Sequence, residues 1–144
     1  LVFPLILTVG TTTESTLAPP LTLTPYLDKN EVEAARTLSQ VTPDIGGFTS
    51  YAGYFNVHKK CDSNIFFWFF PSKSSWEEAP VILWLPETPG KSSMFGLFEQ
   101  IGPFNSFESG LETRKYSWNN MSNLLFIDSP VIVPTSAFRT LIKS

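Results

Sequence analysis

The sequence has few of the residues from which disulfide frameworks, metal sites and nucleic-acid surfaces are built. It contains one Cys and one His among 144 residues. A single Cys excludes an internal disulfide and a Cys-based zinc cluster, so we expect no bound metal. The 13 Asp and Glu residues outnumber the 10 Lys and Arg residues, which gives a net charge of -3. This balance excludes a basic footprint for nucleic acid and a polybasic patch for an anionic membrane.

The chain also lacks an apolar run long enough to cross a bilayer, which takes about 20 residues. The chain begins with the apolar run 1–10, which is typical of the apolar core of a secretory signal peptide whose front is missing. A buried first strand is the alternative. Together with the Thr-, Ser- and Pro-rich stretch that follows, this run predicts a leader over 1–20 and a secreted or lysosomal product. The glycosylation sequon that begins at Asn120 agrees with that compartment.

What the sequence does have is aromatic residues, with 13 Phe, 4 Trp and 4 Tyr. The length suits one modest domain. A chain of this size buries only about two-thirds of the surface that it exposes when unfolded. So much aromatic surface needs a larger core, which predicts that the chain is part of a larger protein.

The first predicted element is a short amphipathic helix over 29–41, within an N-terminal segment at 21–48. Asp28 and Glu31 have the spacing of a capping box, and Pro43 ends the run.

After this segment the pattern changes to strands. Residues 50–57 alternate, and a polar turn leads to the unbroken apolar run 65–70, so we expect a hairpin. The run 80–85 is apolar on both faces, as in a sheet interior that helices cover. Residues 92–100 predict a helix and 123–128 a fourth buried strand. This order indicates an α/β sheet that opens with an antiparallel hairpin.

One loop in this sheet is close to a phosphate-binding P-loop. A strand runs into Gly90-Lys91-Ser92, and the strand that ends at Asp128 offers a carboxylate for magnesium. However, Pro86 and Pro89 each remove a backbone N–H that such a loop needs to cradle phosphates. A nucleotide-binding function is therefore a remote alternative.

Four blocks of sequence, in order, resemble the serine carboxypeptidases, which are α/β-hydrolases that release C-terminal residues from peptides. The blocks lie at 50–55, 64–70, 79–104 and 116–131. The second block is most similar to vitellogenic-like members. The resemblance implies the N-terminal portion of an α/β-hydrolase sheet at 49–131, an antiparallel hairpin followed by strand, oxyanion loop, helix and strand, without a cofactor. It leaves 132–144 as a divergent tail.

The family's chemistry requires a Ser, Asp and His triad, with the Ser on a G-E-S-Y-A-G elbow. We expect that elbow to lie beyond the end of this chain. Residues 50–53 copy its second half, but Phe48 stands where the elbow's first Gly would be, and the segment matches the family's first strand instead. Ser50 is thus not expected to be a nucleophile, and His58 is expected to be a solvated turn residue.

The resemblance also places an altered form of the family's L-N-G-G-P-G-x-S-S oxyanion loop at Thr88, Pro89 and Gly90. In the family, the second Gly of N-G-G gives its backbone N–H to the developing oxyanion. Thr88 stands at that position, and a β-branched residue resists the positive φ angles that Gly permits. The loop's Lys91 replaces a Cys that the family usually pairs with a distant Cys, and Cys61 is expected to be a spare thiol.

The site that would hold the substrate's terminal carboxylate is matched by Trp84, Pro86, Glu87 and Gln100. Pro86 replaces an Asn and cannot donate a hydrogen bond, Glu87 adds a repelling charge, and Gln100 replaces an acid. We therefore expect a truncated serine carboxypeptidase-like chain that is inactive by itself. The family resemblance implies that its partners are peptide C-termini. The alternative is an exported non-enzymatic protein that binds a peptide or a partner protein.

Overall fold

A computed structural model describes residues 20–85, 88, 91–107 and 110–128. The helices are α1 (Thr24–Asp28), α2 (Val32–Ser39) and α3 (Gly96–Gln100), and a single 3₁₀ turn spans Trp118–Asn120. The strands are β1 (Tyr51–His58), β2 (Ser63–Phe70), β3 (Val81–Trp84), β4 (Phe104–Phe107), β5 (Gly110–Thr113) and β6 (Asn123–Asp128). The expected leader over 1–20, apart from its last residue, and the expected tail over 132–144 lie outside the described residues.

Four of the strands form one sheet in the order β1-β2-β6-β3. The β1–β2 and β2–β6 pairs are antiparallel, whereas β3 and β6 run parallel. This arrangement confirms the predicted α/β sheet that opens with an antiparallel hairpin. β6 follows β3 in the sequence by some forty residues, yet it lies between β2 and β3.

The aromatic run in β2 supplies both faces of the sheet, because successive side chains of a strand point to opposite sides. Phe70 belongs to a core with Leu97, Phe104, Leu124 and Phe126, each at most 1% exposed. Phe67 belongs to a second core on the other face, with Leu23 and Ala35. An unbroken aromatic strand is therefore what a sheet buried on both faces requires.

The predicted helix over 29–41 is wrong in its extent and in its start. Two helices occupy this region, and Asp28 is the last residue of α1 rather than a cap. Glu31 is the N-cap of α2 and makes no side-chain capping bond. The break falls at Asn30, whose φ of 60° lies in the left-handed region that Asn tolerates better than most residues. Pro25 suits the first turn of α1.

The other predicted elements differ in detail. The strand predicted over 80–85 is present as β3, but Val81 and Leu83 are 60% and 50% exposed, so its two faces are not both covered by described residues. The helix expected over 92–100 is regular only at its end, where hydrogen bonding is of the π type. The β4–β5 hairpin was not predicted, because its residues are polar and exposed and show no clear alternation.

The end of α3 is held by Arg114. Its guanidinium donates to the carbonyls of Phe98 and Phe104 at 2.9 Å and to that of Gly102 at 3.1 Å. Helix ends leave such carbonyls without intrahelical partners. Arg114, which follows the β4–β5 hairpin, therefore satisfies backbone carbonyls on both sides of Pro103.

Asn123, the first residue of β6, organises the connection between β2 and β3. Its Oδ1 accepts from the Ser72 N–H at 2.9 Å, and its Nδ2 donates to the carbonyls of Trp76 and Ala79 at 2.8 and 2.9 Å. The side chain is 3% exposed. One amide thus satisfies three backbone groups of a segment that has no ladder of its own.

We predict that Asn123→Ala lowers the free energy of unfolding by roughly 2–4 kcal/mol, since it leaves buried backbone groups unpaired. Urea denaturation followed by circular dichroism measures this loss. Asn105→Ala is the matched control, because the Asn105 side chain makes no hydrogen bond to described residues, and it should change stability by less than about 0.5 kcal/mol. Equal effects of the two substitutions would contradict the role given to Asn123.

Candidate functional site

The predicted oxyanion loop begins where β3 ends. Because β3 and β6 are parallel, their carboxyl ends, at Trp84 and Asp128, lie at the same edge of the sheet. Ligands of open α/β sheets bind at such an edge. The loop 85–93 therefore starts at the edge where a site is expected, and it leads into α3.

Asp128 fastens the far end of this loop. Its Oδ2 accepts from the Ser92 hydroxyl at 2.6 Å, and its Oδ1 from the Ser93 N–H at 3.3 Å. The Ser92 Oγ also accepts from the Met94 N–H at 3.1 Å. Hydrogen bonds to an ionised carboxylate are about twice as strong as neutral ones. The loop is thus tied to the strand beside β3 at the point where the helical turns begin.

Trp84 is held in place by the close approach of α3. A Cβ added to Gly96 would lie 2.2 Å from the Trp84 Nε1, so no larger residue fits at Gly96 without a shift. Gln100 follows Gly96 by four residues, about one helical turn, and is exposed at the end of α3. The helix that carries Gln100 is therefore packed against Trp84, which brings two of the predicted carboxylate-site positions onto neighbouring elements.

Of the three predicted oxyanion positions, the structure describes Thr88, which is exposed. Its carbonyl accepts from the Lys91 N–H at 3.1 Å, which closes a turn before the two serines. Pro86, Glu87, Pro89 and Gly90 lie outside the described residues. The direction of the oxyanion donors stays a prediction.

Glu99, one position before Gln100, has a partner of its own. Its Oε1 accepts from the hydroxyl of Ser106 in β4. Glu99 therefore links α3 to the β4–β5 hairpin through this hydrogen bond.

Ser50 and His58 do not form a catalytic pair. Ser50 is fully buried, and its Oγ has no hydrogen-bond partner among the described residues. His58 is exposed at the opposite end of β1, eight residues or about 26 Å away. Its Nδ1 accepts from the N–H of Cys61, an exposed free thiol. Both residues behave as parts of a strand and its turn.

In the part of the chain that the structure describes, no three His, Cys, Asp or Glu residues are grouped so that they could hold a metal ion. No helix in the same residues is both long and apolar enough to cross a membrane.

Comparison with known families decides what this arrangement is related to. A family model described as serine carboxypeptidase matches residues 41–138, which is more than half of the chain. The chain belongs to the serine carboxypeptidase family. The match covers β1, β2, β3, the loop, α3 and β6, and it confirms the resemblance seen in the sequence.

Individual relatives agree. The human protein described as "Probable serine carboxypeptidase CPVL" is 46% identical over 114 residues, which are 78% of this chain and 24% of that protein. The vitellogenic carboxypeptidase of Aedes aegypti is 41% identical over the same shares. The structure of a prohormone-processing carboxypeptidase from Saccharomyces cerevisiae superposes with a TM-score of 0.55 at 28% identity, over 66% of this chain and 24% of that one. The predicted α/β-hydrolase fold is thereby confirmed.

The chain spans about a quarter of the length of the curated relatives that it matches. It therefore corresponds to one part of the serine carboxypeptidase fold.

Sequence reasoning missed two contacts that shape this site. In the sequence Asp128 suggests only the magnesium ligand of a P-loop, whereas in the structure it binds Ser92 and Ser93. The contact between Gly96 and Trp84 had no signal in a single sequence beyond a Gly inside a predicted helix, which often marks a close approach.

We predict that Gly96→Ala lowers the free energy of unfolding by about 1–3 kcal/mol through overpacking against Trp84, even though helix propensity favours Ala by roughly 1 kcal/mol. In a Trp84→Leu background the indole is gone, and the same substitution should cost much less. Urea unfolding of the four proteins gives a coupling energy, which we expect to exceed about 1 kcal/mol. Additive effects would show that the two residues do not press on each other.

Proposed function

We propose that this chain forms the first part of a serine carboxypeptidase fold, contributing the oxyanion strand and loop, and that these 144 residues by themselves do not hydrolyse peptides. The observation that carries the proposal is the position of His58, the one His in the sequence. Through the pairs Trp84↔Phe126, Phe126↔Trp68 and Trp68↔Ala52, His58 lies three strands across and six residues along from the start of the loop.

That offset corresponds to roughly 25 Å between backbone positions. General base catalysis needs hydrogen-bond contact, or one intervening water, between the base and the group that it deprotonates. His58 cannot make such contact with a substrate at the loop. Hydrolysis at this site therefore requires a general base other than His58.

The altered loop supports the second half of the proposal. Thr88 keeps a backbone N–H but resists positive φ, so the donor that Gly would aim at the oxyanion is misdirected. Loss of one such donor typically costs about 3 kcal/mol of transition-state stabilisation. At the carboxylate site, Pro86 offers no donor and Glu87 repels a carboxylate. By kinship the substrate is a peptide C-terminus, but these residues weaken its recognition.

The open edge of β3 supports the first half. Among the described residues β3 pairs with β6 alone, and its Val81 and Leu83 side chains are largely exposed. An apolar edge strand of this kind normally pairs with a further strand or is covered. A fold that continues beyond β3 satisfies this requirement.

We further propose the secretory pathway, with a secreted or lysosomal destination. The apolar run 1–10 and the sequon at Asn120 support it. Asn120 is the last residue of the 3₁₀ turn, and its Nδ2 donates to the carbonyl of Lys115 at 3.2 Å. An N-linked glycan replaces one of the two Nδ2 hydrogens and leaves the other for this hydrogen bond.

The direct experiment is an assay of the purified chain with a blocked dipeptide, following release of the C-terminal residue. We expect no turnover above that of a chain with Ser50→Ala, because neither protein contains a triad. Turnover that a serine-reactive phosphonate abolishes would overturn the proposal of inactivity.

The loop is tested by transplanting residues 85–93 into a full-length serine carboxypeptidase in place of its own L-N-G-G-P-G-x-S-S segment. We expect kcat/KM to fall by about 100-fold or more, since an oxyanion donor is lost. Replacing Thr88 by Gly within the transplant should recover part of kcat. Replacing Glu87 by Gly should chiefly lower KM, because it removes a charge that repels the substrate.

The matched control is a transplant of residues 94–98, whose Met-Phe-Gly-Leu-Phe sequence follows the family pattern. It should leave kcat/KM nearly unchanged. Full activity with the 85–93 transplant would show that the altered loop is competent.

A further inference from the structure

Three large side chains stand in solvent around the 3₁₀ turn that precedes β6. Tyr116, Trp118 and Met121 are 79%, 51% and 76% exposed, and we call them the Trp118 patch. Trp118 and Met121 lie on one side of the turn, because a 3₁₀ helix has about three residues in each turn. The Met121 N–H donates to the Trp118 carbonyl at 3.2 Å, which closes that turn. Exposed apolar surface of this kind often marks a binding contact.

The backbone turns Tyr116 and Trp118 to the same side. Ser117, the residue between them, has extended backbone angles, with φ -91° and ψ 150°. Neighbouring side chains of extended backbone point to opposite sides. The Ser117 side chain is buried and donates to the carbonyl of Ile101 at 3.0 Å, so the two side chains that flank it face water together.

Asn120 begins an Asn-Met-Ser sequence, which is an acceptor for N-linked glycosylation. Its Nδ2 reaches back to the carbonyl of Lys115, 3.2 Å away and five positions earlier, so Tyr116 and Trp118 lie between the two bonded residues. Asn119 is fully buried, which leaves Trp118 and Asn120 on either side of an inward-pointing residue. The nitrogen that would carry a sugar is thus held beside the patch.

The size of the patch limits what can cover it. Its three side chains together expose roughly 400 Å², since a Tyr or Trp side chain presents about 150–250 Å². A stable protein–protein interface buries about 800 Å² on each partner. The patch is therefore too small to hold a second copy of this chain by itself. It is large enough for one or two sugar rings.

The chemistry of the patch also suits a sugar. One face of a pyranose ring presents C–H groups that pack against an aromatic ring, while its hydroxyl groups stay in water. Tyr and Trp combine an apolar ring face with a polar tip, which favours such half-wet contacts. A sugar bonded to Asn120 is also tethered, so it meets Trp118 at an effective concentration on the order of millimolar.

We propose that Asn120 carries an N-linked glycan whose first N-acetylglucosamine packs on Trp118 and Tyr116 and covers the Trp118 patch. The donor is an oligosaccharide on a lipid diphosphate. The bond between the sugar C1 and the phosphate oxygen breaks, a bond from C1 to the Asn120 Nδ2 forms, the amide loses one proton, and the lipid diphosphate leaves. The inference rests on the proposed passage through the secretory pathway.

The first measurement asks whether Asn120 is modified. The full chain is expressed behind a cleavable signal peptide in eukaryotic cells that make high-mannose glycans, so export does not depend on residues 1–10. We expect peptide N-glycosidase F to lower the mass of the exported protein and to convert Asn120 to Asp. Ser122→Ala should prevent the modification, because the sequon needs a hydroxyl there. An exported chain without a glycan at Asn120 would overturn the proposal.

The second measurement asks whether the glycan packs on the patch. Endoglycosidase H trims the exported chain to one N-acetylglucosamine, and the same chain made in the bacterial cytoplasm has none. We expect the trimmed chain to melt about 2–4 °C higher than the bacterial chain. NMR of the trimmed chain should show the sugar's N-acetyl methyl and ring C–H signals shifted upfield by the indole ring current.

Variants assign this effect to the patch. Trp118→Ala should remove most of the difference in melting temperature between the trimmed and the bacterial chain. The matched control is Phe107→Ala, at the end of β4, which removes an aromatic side chain of similar exposure (54%) and should leave that difference unchanged. Taking differences cancels the effect of each substitution on the fold itself. The NMR shifts are read on the unaltered chain and do not depend on how a variant folds.

A melting difference that Trp118→Ala does not reduce, or sugar signals without upfield shifts, would overturn the packing. A dimer of the glycosylated chain that Trp118→Ala dissociates would do the same, since a second copy would then cover the patch. Export of the chain by its own residues 1–10 is measured separately. Its failure would contradict the proposed secretory pathway, but not the contact between the glycan and Trp118.

Discussion

The structure depends on the insertion of β6 between β2 and β3. β2 and β3 do not pair with each other, so without β6 the opening hairpin and β3 would be separate pieces. β6 hydrogen-bonds to β2 in the antiparallel sense and to β3 in the parallel sense. It also buries Leu124 and Phe126 in the larger core. One six-residue strand therefore joins all the parts of the sheet.

Both ends of β6 carry a polar side chain that organises a loop. Asn123 at its start holds the connection from β2 to β3, and Asp128 at its end holds Ser92 in the loop that follows β3. Because β3 lies beside β6, these contacts hold the chain just before β3 and where the loop passes into α3. The position of the candidate site is thus a consequence of strand order.

Two kinds of residue meet at the loop after β3. Trp84 packs against Gly96, and Ser92 and Ser93 hydrogen-bond to Asp128. By the family resemblance, Pro86, Glu87 and Thr88 stand where the family loop has Asn and two Gly residues. Packing contacts tie each residue to several neighbours, whereas an oxyanion donor is tied only to a reaction. The proposed function therefore combines the fold of a hydrolase with a loop that has lost part of its chemistry.

The sequence by itself determined the existence of β1, β2, β3 and β6 and the family to which they belong. β1 alternates, and the other three carry apolar runs bounded by turn residues, which are patterns typical of strands. Local pattern was too weak elsewhere: the break at Asn30 and the polar β4–β5 hairpin depend on turn geometry that no periodicity reveals. The family pattern predicts Trp84, Thr88 and Gln100 as site positions, but it does not predict the contacts of Gly96 and Asp128.

Only the tertiary structure decided which residues lie together. Strand order places Asp128 next to Ser92, across 36 positions of sequence, and no local pattern contains that separation. In the same way, two cations that are 37 residues apart, Arg36 and Lys73, line one apolar groove because α2 and the end of β2 meet over the same face. The alternation of side chains assigns each residue to a face. The order of the strands decides which residues pack against that face.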